Sequence, residues 1–286
     1  QFRLGGLKGV LTVHPLAKSN SIFYRPSQKK FNSKNPVLEI CRTSFFSPGY
    51  LNHQLIIVLE NLGVKEETFL NIFNERIKEL DDMFISSSIA IEALKLISGE
   101  DPMVYDMISM IEAGLFDNND AYLMNLLQVY KMIQLKDIKL KGKIVVKKSC
   151  SLIGVMDETG LLPENTVFVQ FTDPITGKIG TLNRQVLITR FPILHPGDVQ
   201  VCNCVNIPQL KHLVDVVVFS QKGSRPLPNM LSGGDLDGDT FFVSWDDRLI
   251  PPKTVPPMEY STVPRSNFRN NPSYEDVRKH FSNFVK

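Results

Sequence analysis

Six short apolar runs in the second half of the chain constrain its fold more than any other feature. They are Lys143-Ile144-Val145-Val146, Val167-Phe168-Val169-Gln170-Phe171, Gln185-Val186-Leu187-Ile188, Val199-Gln200-Val201, Val214-Asp215-Val216-Val217-Val218 and Thr240-Phe241-Phe242-Val243. Runs this short, rich in β-branched and aromatic residues and separated by Gly and Pro, read as strands. So many short strands in roughly 100 residues predict a small closed barrel rather than an open sheet, because closure leaves no unpaired edge.

The barrel pattern is preceded by two different ones. From Gln1 to Phe46 the sequence is strand-like and short-ranged: Gly5-Gly6 and Gly9 punctuate a strand over Val10-Leu11-Thr12-Val13, and a basic loop follows at Tyr24-Arg25-Pro26-Ser27-Gln28-Lys29-Lys30. From Pro48 to Leu140 the apolar residues recur at helical spacing, as in Leu55, Ile56, Val58, Leu59 and Leu62, then Phe69, Ile72, Phe73 and Ile77. Gly63, Gly99 and Gly114 stand where helices would stop, and Asp101-Pro102 supplies an N-cap with proline at the first helical position, so about four or five helices are expected. After Trp245 the pattern loosens into Pro251-Pro252 and Pro256-Pro257, with a last helix expected from Tyr274. The domain reading is therefore 1–46 part of a first β-barrel, 47–140 a helical connector, 141–250 a second barrel, and 251–286 a linker with the start of a C-terminal helical region.

Composition adds exclusions. Four cysteines, Cys41, Cys150, Cys202 and Cys204, lack paired metal-site spacing and are too few for a disulfide framework in 286 residues. They are expected to be buried, reduced thiols of an intracellular protein. No apolar run approaches the ~18 residues of a membrane span, so no membrane association is expected. A net charge of +2 decides nothing about polyanion partners, because it conceals how Lys and Arg cluster. The chain opens with Gln1 inside a strand-like pattern and is read as a piece of a longer polypeptide.

The chemistry concentrates in Leu231-Ser232-Gly233-Gly234-Asp235-Leu236-Asp237-Gly238-Asp239. Ionised carboxylates this close repel one another, and a divalent cation is the natural neutraliser. Three other readings stand beside that one: a solvated acidic turn, a metal-binding barrel without catalysis, and a calcium loop. For the last, Asp235, Asp237, Asp239 and Asp246 fall on positions one, three, five and twelve of an EF-hand loop. Position six, however, is Thr240 where that loop needs Gly, and position twelve is Asp where Glu is usual.

Several segments surround the cluster in a fixed order. Gly5-Gly6-Leu7-Lys8-Gly9-Val10 and Phe46-Ser47-Pro48-Gly49-Tyr50-Leu51-Asn52-His53-Gln54 are followed by Gly154-Val155-Met156-Asp157-Glu158-Thr159-Gly160 and Thr189-Arg190-Phe191-Pro192-Ile193-Leu194-His195-Pro196-Gly197-Asp198. Phe219-Ser220-Gln221-Lys222-Gly223-Ser224-Arg225-Pro226 then leads into the Asp cluster and Phe242-Val243-Ser244-Trp245-Asp246. This series resembles the eukaryotic cellular RNA-dependent RNA polymerases of RNA silencing, over nearly the whole chain.

The resemblance implies an α+β fold, a double-psi β-barrel polymerase core in which two β-barrel regions are separated by a helical connector. It implies that the family's catalytic region extends beyond both Gln1 and Lys286. It further implies an RNA-directed RNA polymerase, a nucleotidyltransferase that copies single-stranded RNA from nucleoside triphosphates into double-stranded RNA, with other RNA-silencing proteins as partners. Asp235, Asp237 and Asp239 match the family's catalytic aspartates, which hold Mg2+ or, in its place, Mn2+. Because charge builds on the triphosphate as it reacts, cations must face the metals, and the candidates are Lys8, Arg25, Lys29, Lys30, Arg190, Lys222 and Arg225. Lys222 and Arg225 rank first, since they precede the Asp loop closely. Arg190 is expected to contact RNA phosphate or pair with Asp198, His195 to stabilise a turn, Asp157 and Glu158 to be turn or cap residues, and Trp245 to pack in the core. The contrasting reading is a truncated or degenerate core that binds RNA without turnover.

Overall fold

The computed structural model describes residues 1–14, 21–97, 99, 101–260 and 272–285. The N-terminal part forms a three-stranded antiparallel sheet from β1 (Phe2–Leu4), β2 (Leu7–Gly9) and β3 (Leu38–Ile40), in the order β2-β1-β3. Gly5 and Gly6 make the two-residue turn between β1 and β2, with φ of +52° and +85°; the turns that match strand twist need such values, which glycine reaches without strain. The expected strand at Val10–Val13 does not form. Those residues have no ladder partner, and the Val10 carbonyl is instead taken by Gln28 Nε2 at 3.3 Å.

A short strand, β4 (Pro48–Leu51), leads into five helices: α1 (His53–Asn61), α2 (Glu66–Asp82), α3 (Ser87–Ile97), α4 (Pro102–Glu112) and α5 (Ala121–Lys141). Their starts are set by side chains that take up orphan backbone N–H groups. Asn52 accepts from Leu55 at 2.8 Å, Asp101 from Met103 at 3.0 Å ahead of Pro102, and Asp120 from Leu123 at 2.9 Å. Helices α2 to α5 share an apolar core that includes Leu80, Met83, Leu94, Met107, Leu123 and Leu127.

The rest of the fold is a closed ring. Its members are β5 (Ile144–Met156), β6 (Thr166–Thr172), β8 (Gln185–Thr189), β9 (Gln200–Cys204), β10 (Val216–Phe219) and β11 (Thr240–Ser244), while β7 (Ile179–Thr181) hangs on β6. Around the ring, β5 is parallel to β10 and antiparallel to β11, β8 joins β11 to β9, β9 runs parallel to β6, and β6 closes antiparallel on β10. Closure buries the interior face, where Val169, Val186, Ile188, Val217, Phe241 and Val243 share one core. The opposite face of β11 and β8 offers Phe242 and Leu187 to Leu51, Leu55 and Leu59, which fixes the helical connector on the barrel.

β5 is far longer than its predicted apolar run, because successive stretches of one strand pair with β4, β11 and β10. β7 had no sequence signal, being the three residues Ile179-Gly180-Thr181. Cys150, Cys202 and Cys204 are buried, and burial pushes their thiols up, that of Cys202 to about 12; Cys41 is exposed, contrary to expectation, on the loop after β3. The expected C-terminal helix forms as α7 (Tyr274–Val285), with none of its residues buried. Among the described residues, no helix is long and apolar enough to cross a membrane.

Candidate metal centre

The Asp cluster occupies the loop between α6 (Leu227–Met230) and β11. Leu236 packs against the barrel core, so the carboxylates on either side of it are turned outward. Gly238 has φ of +132°, which L side chains rarely adopt, and a Cβ there would lie 2.4 Å from Gln1 Nε2. The loop's end is pinned by the Gly154 N–H, which donates to the Asp239 carbonyl at 3.0 Å.

Each of Asp235, Asp237 and Asp239 offers an oxygen within 4.8 Å of the others'. The loop organises its own carboxylates: the Asp235 N–H donates to Asp239 Oδ2 at 3.0 Å, and the Asp237 N–H to Asp235 Oδ1 at 3.2 Å. Two cations from opposite sides complete the cluster. Lys8 on β2 reaches Asp237 Oδ2 with Nζ at 2.6 Å, and Arg190, just past β8, reaches Asp239 Oδ2 with Nε at 2.7 Å. Arg190 also donates to Asp239 Oδ1 and to the Ser232 carbonyl, each at 3.3 Å, tying the two ends of the loop together.

Protonation divides the cluster. Burial, with Asp237 and Asp239 nearby, raises the Asp235 carboxyl above the usual range; burial also pushes Asp237 up, but the hydrogen bond and charge of Lys8, with Lys30 behind, leave it below that range. Lys8 pairs with Asp237 and Arg190 with Asp239, while among the described residues Asp235 is in no ion pair. An all-oxygen donor set with excess negative charge suits a hard divalent cation.

The structure separates the predicted cations. Lys8 and Arg190 meet the aspartates, and Lys30, held by its backbone to the Gly6 carbonyl at 2.9 Å, adds charge beside Asp237. Lys29 is exposed and bridges to Leu7 through its backbone. Arg25 pairs with Glu158. Lys222 is exposed, its N–H given to Ser220 Oγ at 3.1 Å, and Arg225 braces its own loop through Asn229 Oδ1 at 2.8 Å and the Met258 carbonyl at 2.7 Å. Proximity in sequence ranked Lys222 and Arg225 first, whereas strand pairing delivers Lys8 and Arg190.

Other expectations resolve in the same way. Arg190 does not pair with Asp198, which is fully buried and takes the Tyr260 hydroxyl instead. His195 stabilises a turn by accepting the Gly197 N–H on Nδ1 at 3.0 Å. Asp157 caps a turn through the N–H groups of Thr159 and Leu162. Trp245 stacks on Phe171 at 4.9 Å beside the barrel core. The calcium-loop reading fails: Asp246 lies at the far end of β11 and is engaged by Arg248. Ser232 and Tyr260 carried no sequence signal, since an isolated Ser or Tyr in a loop has none.

The family model for RNA dependent RNA polymerase matches residues 1–286. The chain belongs to the RNA-dependent RNA polymerase family. It is 36% identical over 287 residues to the "Probable RNA-dependent RNA polymerase 1" of Oryza sativa subsp. japonica, covering all of this chain and 38% of that protein. It is 38% identical to the "RNA-dependent RNA polymerase 1" of Arabidopsis thaliana and to that of Schizosaccharomyces pombe, covering 26% of each. The chain thus spans between about a quarter and two fifths of these polymerases. Among solved structures, "RNA dependent RNA polymerase QDE-1 from Thielavia terrestris" matches with a TM-score of 0.70 and 27% identity, over 91% of this chain and 32% of that one. The six-stranded ring is accordingly a double-psi β-barrel, within an α+β polymerase core.

Proposed function

We propose that this chain forms the catalytic centre of an RNA-directed RNA polymerase, in which Asp235, Asp237 and Asp239 hold Mg2+, or Mn2+ in its place. The observation that carries the reading is the convergence of three carboxylates on the rim of a closed barrel, with Asp235 in no ion pair among the described residues. When bound there, such ions would supply Lewis-acid activation of a 3′-hydroxyl and neutralisation of charge on pyrophosphate.

The chain's own side chains do the rest. Arg190 fixes the orientation of Asp239 and of the main chain at Ser232, so that two ends of the loop move as one. Lys8 and Lys30 lend positive charge on the side of Asp237, where the triphosphate's charge needs opposing. Lys222, Arg225 and Arg25 are assigned to substrate phosphates beyond the aspartates, Arg25 held by Glu158 and Arg225 by Asn229 and the Met258 carbonyl. The substrates in this reading are a single-stranded RNA template and nucleoside triphosphates, and the product is double-stranded RNA that feeds silencing inside the cell with other silencing proteins.

The same reading divides the chain at the boundaries expected from sequence: 1–46 belonging to a first barrel, 47–140 the connector, 141–250 the catalytic barrel and 251–286 a linker leading to further helices. It is supported by the helices lying within 53–141 and the ring strands within 144–244. The test is incorporation of labelled ribonucleotides on single-stranded RNA by the full-length protein and its Asp237→Ala variant, with Mg2+ or Mn2+. Template-dependent product from the parent alone supports the assignment; no product from a folded parent overturns it.

A further inference from the structure

The segment that follows the barrel runs back across the loops of the metal centre. Beyond Leu249 the chain continues through Pro251 to Tyr260; Pro252 lies against Gly63 and Val255 packs with the connector, and from Pro256 onward the segment is held by those loops. A Cβ on Gly197 would sit 2.1 Å from the Pro256 carbonyl oxygen, so the segment lies in direct backbone contact with the turn beside Asp198. Arg225 donates Nη2 to the Met258 carbonyl at 2.7 Å and to the Asn229 carbonyl at 3.1 Å, joining the segment to α6 at the start of the Asp loop.

Tyr260 makes the decisive contacts. Its hydroxyl donates to the Asp198 carboxylate, 2.7 Å from Oδ1 and 2.8 Å from Oδ2. Asp198 is fully buried, and its Oδ2 also accepts the Leu194 and His195 N–H groups at 2.9 Å each. That carboxylate therefore organises the Arg190–Asp198 loop, which carries both Arg190 and the Pro192 carbonyl that accepts from Ser232 Oγ. The ring of Tyr260 meets the other loop directly: a Cβ on Gly233 would lie 3.0 Å from its Cγ. One side chain thus touches the loop that positions Arg190 and the loop that carries the aspartates.

We propose that Tyr260 is a positioning residue for the metal centre: by bonding Asp198 while packing on Gly233, it sets the Arg190 loop against the Asp loop so that Arg190 reaches Asp239. The inference rests on the polymerase reading for its activity readout and on geometry for the rest. Asp198 keeps two backbone donors without the Tyr260 hydroxyl, so its loop stays folded. The register between the two loops is what loosens. Small misplacements at a distance from the chemistry can lower rates by up to about 100-fold.

The experiment uses the full-length protein and its Tyr260→Phe variant, which keeps the ring on Gly233 and removes only the hydroxyl. Three quantities are compared: Mn2+ binding followed by the loss of the free-ion electron paramagnetic resonance signal, kcat against KM for nucleotide, and the melting temperature. The expected result is Mn2+ affinity and kcat each lowered about tenfold, with KM and melting temperature held, the scale seen when a partner of a metal ligand is lost. Asp198→Asn should reproduce the effect, and the double variant should add little to either single one. Unchanged Mn2+ affinity overturns the proposal, and so does a loss of kcat that follows melting alone. A parent that incorporates no ribonucleotide would sink the polymerase reading instead, while the Mn2+ isotherms of parent and Tyr260→Phe would still decide the positioning role.

Discussion

The closed barrel and the three-stranded sheet that precedes it both consist of short strands, and both send a cation to the aspartates, but they are held in different ways. In the ring every strand has two neighbours, and β6, β8, β10 and β11 are buried along nearly their whole length. In the sheet, β3 is exposed at all three positions, with Ile40 60% accessible. Hydrophobic closure therefore places Arg190, whereas Lys8 is brought in by the small β1–β2 ladder, anchored by the buried Phe2, and is held at the Asp loop by its pair with Asp237 and by Gln1 Nε2, which donates to the Asp237 carbonyl at 3.3 Å. A site assembled this way has one rigid wall and one wall that depends on the metal centre itself.

The largest test of that contrast is a core truncation. Phe241→Ala, inside the barrel and fully buried, should cost about 3–5 kcal/mol, whereas Ile40→Ala in this chain should stay within about 0.5 kcal/mol, both measured by urea unfolding. Comparable losses at the two positions would mean that the sheet is held by its own core after all.

Next in size is the shared metal centre. Asp239→Asn in the full-length protein should lower ribonucleotide incorporation by more than the ~100-fold typical of losing a ligand's supporting partner. A milder loss would show that Asp235 and Asp237 suffice and that the Arg190 wall matters less than its geometry suggests.

Swapping the two cations sharpens the comparison further. Arg190→Lys keeps the charge but gives up a fork that spans Asp239 and Ser232, so kcat should fall roughly tenfold. Lys8→Arg, at a single-point contact, should fall less when assayed beside it. The reverse order would place the more exacting wall on the sheet.

The smallest effect is in pH. Burial pushes the Asp246 carboxyl up, but hydrogen bonds from Arg248 outweigh it and leave it below the ordinary value of about 3.9. A lowered carboxyl contributes stability that is complete above the unfolded value and is lost as pH falls through the folded one. Asp246→Asn should therefore flatten the acid limb of stability, read as urea midpoints from about pH 7 to about pH 3. Because Arg248 also bonds Glu75 on α2, an unchanged limb would mean that the barrel–connector junction does not rely on this pair.

What was legible in the sequence was what is local. The helix start at Asp101 depends on a side chain and a backbone N–H two residues away. The Asp cluster was legible for the same reason, its members being neighbours in the chain. The strand expected at Val10–Val13 failed because β propensity is satisfied only by a partner, and none is presented there. Cys41 was misjudged because burial of a thiol depends on what covers it.

The sequence by itself determined the succession of strand, helix and barrel, the family and the identity of the clustered carboxylates, because these follow from short-range periodicity and from motif order. Only the tertiary structure decided which cations meet them. Lys8 and Asp237 are separated by most of the chain, and Arg190 comes beside Asp239 because β8 and β11 lie side by side, Thr189 opposite Phe242. Tyr260 was likewise decided by the route of the segment after the barrel. Such pairings are set by ring closure and strand register, which depend on the burial of many residues at once rather than on any local pattern.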